Sequence, residues 1–194
     1  MGFRTIENDI KSGVLNKAAP VLLCGDEQFL VNYYEHKLVA LYAGREDSAA
    51  DDNSSLSELD ISVFYGDEAD DDAITAALDT FPIFLPARIV LVRNHQGFQS
   101  AGGASNRGSG GKSKSASETA SENITQKKNG LADFIIRIPE TARLVFTAGG
   151  VNKTRALYKA IAKHGTIYEF ARLNEADLVN FVRKRFIKNY VLPA

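Results

Sequence analysis

Short apolar runs that alternate with segments of helical period constrain this chain more than any other feature. Val21-Leu22-Leu23-Cys24-Gly25, Ile61-Ser62-Val63-Phe64-Tyr65, Arg88-Ile89-Val90-Leu91-Val92 and residues 142–147 and 166–170 read as strands. Helical spacing is expected over 26–43, where Phe29, Leu30, Tyr33, Tyr34, Leu38 and Leu41 form a stripe, and over 70–80, 131–138 and 155–164. One more amphipathic helix, with Phe3, Ile6, Ile10 and Leu15, precedes the first strand, and another is expected over 175–188. Asp26 is the expected N-cap of the first long helix, and Asp70-Asp71-Asp72 suits a helix start through the helix dipole. A continuous apolar strand such as 88–92 belongs inside a parallel sheet, where both faces are covered. Alternation of this kind implies an α/β fold: a parallel five-stranded sheet with helices on both faces.

With 194 residues and 44% hydrophobic content, the chain can bury one domain core and hold the start of a second. One stretch lies outside that pattern. Residues 100–128 are Gly, Ser, Ala, Asn and Lys with almost no apolar side chains, and read as a flexible insertion at about 99–129.

The first strand ends at Gly25 and runs into a helix, the layout in which P-loop proteins hold a nucleotide triphosphate. Phosphate binding there needs glycine amides and a lysine. This turn instead carries Gly25, Asp26, Glu27, Gln28 and Phe29, and its two carboxylates would repel a polyphosphate. The acidic residue that would position Mg²⁺ after a later strand is replaced by Arg93-Asn94. Gly110-Gly111-Lys112-Ser113 imitates the end of a phosphate loop, but Asn106 stands where its first glycine belongs and no apolar strand precedes it.

Other chemistries find little support. His36, His95 and His164 lack a second His or Cys at ligand spacing, so no metal or cofactor is expected. Asp67, Glu68 and Asp70–72 read as a solvated helix start, without the glycine and terminal glutamate of a calcium loop. Cys24 is single and sits in an apolar strand, which fits a reduced thiol and a cytoplasmic protein; no signal peptide or membrane-spanning run is evident. The net charge of −1 does not by itself call for nucleic acid.

Two surfaces remain as candidates. Between residues 151 and 190, nine Lys and Arg face three acids, a local charge of +6; Lys153, Arg155, Lys159, Arg183, Lys184 and Arg185 are the candidate DNA- or partner-facing cations. The second is Phe81-Pro82-Ile83-Phe84-Leu85-Pro86. Composition alone favours a plug in the core, and the alternative is a stiff apolar tip for a partner's pocket, with two prolines restricting the backbone.

Taken together, Gly25-Asp26-Glu27-Gln28-Phe29-Leu30, the block from Phe81 to Val92 and the segment 153–170 ending in Tyr168-Glu169-Phe170 resemble the delta subunit family of bacterial DNA polymerase III. The resemblance implies an AAA+ fold with a degenerate nucleotide site over 1–174, and over 175–194 the start of a helical lid domain. It implies a clamp-loader subunit without catalysis of its own, working within the polymerase III holoenzyme during DNA replication. Its partners would be the sliding clamp (beta subunit), the other clamp-loader subunits and, through the assembled complex, primed DNA. The clamp-binding residues implied are Phe81, Pro82, Ile83 and Phe84, with Ile83 standing where the family has leucine and Pro82 stiffening the tip. The rival readings are an enzyme on a degenerate nucleotide fold, for which Asp26, Glu27, Asp67 and Glu68 are the titratable groups at hand, and a DNA-binding module built on the basic C-terminal helices.

Overall fold

Four consecutive apolar residues in a strand must be covered on both faces, because side chains alternate from one face to the other. Val21, Leu22, Leu23 and Cys24 are all buried and form β1 (Val21–Cys24) of the computed structural model, which describes residues 2–17, 19–45, 57–66, 70–99, 130–172, 179, 181 and 183. The other strands are β2 (Ile61–Tyr65), β3 (Arg88–Arg93), β4 (Ala142–Ala148) and β5 (Thr166–Glu169). They form one sheet of order β2-β3-β4-β1-β5 in which every neighbouring pair is parallel. Val145 of β4 aligns with Leu91 of β3 on one side and Val21 of β1 on the other.

The period-two alternation sorts the core into two layers. On one face Val21, Leu23, Ile89, Leu91, Val145 and Tyr168 pack with Ile6 of α1 (Gly2–Ser12) and with Leu30, Tyr34 and Leu38 of α2 (Gln28–Tyr42). On the other, Leu22, Val90, Val92, Leu144 and Phe146 meet three helices: α3 (Asp71–Asp79) through Ile74 and Leu78, α4 (Gly130–Phe134) through Leu131, and α5 (Ala156–His164) through Leu157 and Ile161. Each such side chain contributes about 1.5–3 kcal/mol by leaving water. Tyr168 and Tyr34 also donate hydrogen bonds to Asp9 (2.6 Å) and Glu7 (3.3 Å), fastening α1 to its layer. The expected α/β architecture, with a five-stranded parallel sheet and helices on both faces, is the one observed.

Several local expectations need correction. α2 begins at Gln28, with Glu27 rather than Asp26 in the capping position and no side-chain cap. The Glu27 N–H is already taken by the Phe170 carbonyl at 3.2 Å, so the backbone does the capping. Phe29 is 57% exposed, and instead of joining the core it meets Phe181 edge-on with ring centroids 6.1 Å apart. The helix expected over 131–138 tightens into a 3-10 turn over Ile135–Arg137, ahead of Pro139, which disfavours a helical residue before it. Cys24 is buried, and burial first, then Glu169, pushes its thiol up to about 11, so it is an inert core residue. The insertion at 100–129 and most of the helix expected over 175–188 lie outside the described residues; within the latter, Val179, Phe181 and Arg183 are helical.

Candidate functional site

A parallel sheet has two unlike edges, and the nucleotide-type turn and the apolar segment 81–86 lie on opposite ones. The turn after β1 lies at the C-terminal edge. The segment before β3 lies at the N-terminal edge.

At the C-terminal edge, the turn that would cradle phosphate is closed by the chain itself. The Gly25 N–H donates to the carbonyls of Ala148 and Gly149, at 3.3 and 3.1 Å, and the Phe170 N–H donates to Cys24 at 2.7 Å. The Phe170 carbonyl in turn accepts from Glu27, at the helix start where an anion would have to sit. Gly25 has φ +132°, and a Cβ there would lie 2.1 Å from the Phe170 oxygen, so only glycine permits this approach. Phe170 is fixed from the other side by parallel stacking on Tyr34, with centroids 5.3 Å apart. Gln28 adds a bond from Nε2 to the Gly25 carbonyl at 2.8 Å. Beside the turn, Arg93 at the end of β3 donates to the carboxylate of the buried Glu35 on α2, and its guanidinium lies 5.3 Å from the Tyr65 ring. The ion pair engages Arg93, as Lys153 is engaged by Glu169 at the end of β5. Glu35 has no signal in sequence beyond being an acid within the apolar stripe.

At the N-terminal edge the chain does the opposite. Phe81 is 75% exposed, Ile83 78% and Phe84 48%, so the core-plug expectation fails for all three. Only Leu85, half-buried against the α1–α2 layer, and the buried Ala87 pack inward. The reason lies in the main chain. Pro82 and Pro86 have no N–H, and the three donors between them all reach one carboxylate: Ile83 N–H to Asp60 at 2.9 and 3.0 Å, Phe84 N–H, and Leu85 N–H at 2.8 Å. Asp60 is 1% exposed and ends a 3-10 turn (Ser57–Asp60) directly before β2. Arg88, the first residue of β3, lies 3.8 Å from Asp60 and donates to the Leu59 carbonyl and to Ser62 Oγ at 2.8 Å. Burial raises the Asp60 pKa, but the three backbone bonds and Arg88 outweigh it and hold the carboxyl below the usual carboxylate range. Leu59, next to Asp60, is 61% exposed and adds a further apolar side chain on this edge. Sequence reading missed both Leu59 and Asp60, since nothing local ties them to a segment more than twenty residues away.

The remaining candidates are scattered. Lys153 is paired with Glu169 at 2.9 Å, whereas Arg155, the N-cap of α5, and Lys159 within that helix are both exposed. Arg183 is exposed, and Lys184 and Arg185 lie outside the described residues, as do Asp67 and Glu68. His95 is buried: its Nδ1 accepts from Gly97 at 3.0 Å and its Nε2 faces Asp71 at 3.1 Å, a cross-link between α3 and the turn after β3. Among the described residues no three His, Cys, Asp or Glu side chains are grouped to hold a metal, and no helix is long and apolar enough to cross a membrane.

No protein-family model and no curated protein matches this chain. Among solved structures, it is similar to the DNA clamp loader delta protein of Bacillus subtilis, with a TM-score of 0.67 and 19% identity, over 97% of this chain and 48% of that one. It also aligns with a DNA polymerase III gamma subunit-related protein of Thermotoga maritima, with a TM-score of 0.49 and 11% identity, over 95% of this chain and 50% of that one. The first match shows that the chain shares the fold of the aligned half of that protein, an α/β fold with a five-stranded parallel sheet. The chain spans about half the length of both structures.

Proposed function

We propose that this chain is a clamp-loader delta domain that binds a sliding clamp through Phe81, Pro82, Ile83 and Phe84 and promotes opening of the ring for loading onto primed DNA. One observation carries the reading: a rigid apolar tip, with three large side chains turned to solvent, stands at the edge of a nucleotide-type fold whose own nucleotide turn is closed. Large exposed apolar side chains on a constrained backbone have the makings of an interface hot spot, since little conformational freedom is lost on docking. The likeness to the B. subtilis delta protein supports the same reading.

The mechanism works by contact, with no catalysis in the chain itself. A tip inserted into an apolar pocket on the clamp gains more from the open-ring state than from the closed one if the pocket's shape differs between them, and only that difference drives opening. The free energy for resetting the ring would come from other subunits of the complex, because the turn at Gly25 has its Gly25 and Glu27 amides bonded within the chain and sets two carboxylates where a phosphate would sit. Loading would take place in the cytoplasm, with DNA reached through the assembled complex. Calorimetric titration against the sliding clamp of the same organism tests the proposal. Saturable binding that is lost in Phe84→Ala supports it, and absence of binding overturns it.

A further inference from the structure

We propose that Asp60 is the positioning residue of the tip: its buried carboxylate gathers the N–H groups of Ile83, Phe84 and Leu85 and thereby holds Ile83 and Phe84 outward for the partner's pocket. This deepens the reading of 81–84 as the clamp-binding element and rests on it.

The hydrogen-bond inventory of the segment has no slack. Between Pro82 and Pro86 the chain possesses three backbone donors, and all three end on Asp60. With those donors occupied, residues 83–85 have none left for a helix turn or a strand ladder, and the conformation that exposes the apolar side chains persists. Without the carboxylate, the donors would need water or new partners, and a segment this apolar would gain by folding its side chains onto the protein surface. A carboxylate suits the task better than an amide. It is acceptor-only: Oδ2 accepts from all three donors and Oδ1 from Ile83 while facing Arg88, whereas asparagine in either orientation would turn an NH₂ toward at least one N–H and lose the charge that faces Arg88. Anchorage is supplied from both strands below. Asp60 immediately precedes β2, Arg88 opens β3, and these strands pair through Ile61 and Ile89, so the brace and its counter-charge are set by the sheet register. Burying an acid costs stability unless it is bonded and paired, a cost offset here by three backbone donors and by the Arg88 guanidinium 3.8 Å away.

The test combines amide exchange with affinity, in wild type, Asp60→Asn, Phe84→Ala and the double variant. Slow exchange at the amides of 83–85 in wild type, lost in Asp60→Asn, is expected. Clamp affinity in Asp60→Asn should fall about 10- to 100-fold, as for other losses of preorganisation. Because Asp60 acts through the tip, adding Asp60→Asn to Phe84→Ala should cost far less than adding it to wild type. A merely structural acid would give additive losses, and additivity overturns the proposal. So does rapid exchange at 83–85 in wild type, or unchanged affinity once their protection is lost. Should Asp60→Asn not fold, Asp60→Glu keeps the charge while displacing the carboxylate, and the same exchange and affinity changes are expected. A wild-type protein that leaves the clamp unbound overturns the proposed function and with it this role for Asp60. Protected amides at 83–85 would distinguish that failure from failure of the brace itself.

Discussion

The two edges of the sheet solve the same problem with opposite results. Each has a loop whose backbone donors must be satisfied away from a regular ladder. At the C-terminal edge the donors of Gly25 and Glu27 go to main-chain carbonyls of 148, 149 and 170, and the loop collapses onto its neighbours. At the N-terminal edge the donors of 83–85 go to a buried side chain, and the loop is held out with its apolar groups in water. A loop whose Gly25 and Glu27 amides are spent on backbone carbonyls has lost those donors for a ligand. A loop braced from beneath leaves its outer surface free. The comparison teaches that what a nucleotide-type fold can bind is decided by which groups consume the loop amides rather than by the sheet, which is alike at both ends.

The largest expected effect tests the closed edge. Gly25→Ala places a Cβ against the Phe170 carbonyl in a backbone region that L-residues rarely adopt, and should cost about 3 kcal/mol, a fall of roughly 6–12 °C in thermal midpoint. If the midpoint held, the turn would be open and the contrast between the edges would fail.

Acid should act on the braced edge. With its folded pKa held below the ordinary value by backbone bonds and Arg88 against the opposing effect of burial, Asp60 contributes stability that is present in full above the unfolded carboxyl pKa of about 4. That contribution drains as pH falls through the lower folded value. Asp71, lowered by its bond from His95 and despite partial burial, acts in the same direction. Chemical denaturation at stepped pH should therefore show a steeper loss of stability below about pH 4 in wild type than in Asp60→Asn; equal slopes would remove Asp60 from the ledger.

Smaller effects sharpen the outline of the tip. Leu59→Ser should weaken clamp binding by about 1 kcal/mol, roughly fivefold, with little change in midpoint, if the apolar surface reaches that far. The smallest expected effect is nil: Mg²⁺-ATP should leave the thermal midpoint where it is, whereas a ligand at about a hundred times its Kd would stabilise by about 2.7 kcal/mol. A clear upward shift would contradict the closure of the Gly25 turn.

Much of the fold was legible because its signals are local. Strand runs such as 88–92 and the stripe through Leu30, Tyr34 and Leu38 report burial directly through their period, and the structure keeps them. Phe29 was misread for a tertiary reason: it follows the stripe's spacing, but its neighbour is Phe181 from beyond the sheet. The absence of a phosphate loop was readable from Asp26 and Glu27. Its physical closure by Phe170 was not, since residues 25 and 170 meet only through the pairing of β1 with β5. The tip shows the same limit more sharply. Phe81, Ile83 and Phe84 have the composition of a core, and the carboxylate that bonds the main chain at 83–85 lies 23 to 25 residues earlier. Hydrogen bonds of that separation leave no periodic trace.

The central claim is that the outward apolar tip at the N-terminal edge binds a sliding clamp, and one paired measurement tests it most directly. Clamp affinity and thermal midpoint are determined together for wild type and Phe84→Ala. The account predicts a loss of about 2–4 kcal/mol in binding, roughly 30- to 1000-fold, with the midpoint unchanged, because a side chain already half in solvent supports little of the fold. Unchanged affinity, or a drop in midpoint large enough to explain the lost binding, would contradict it.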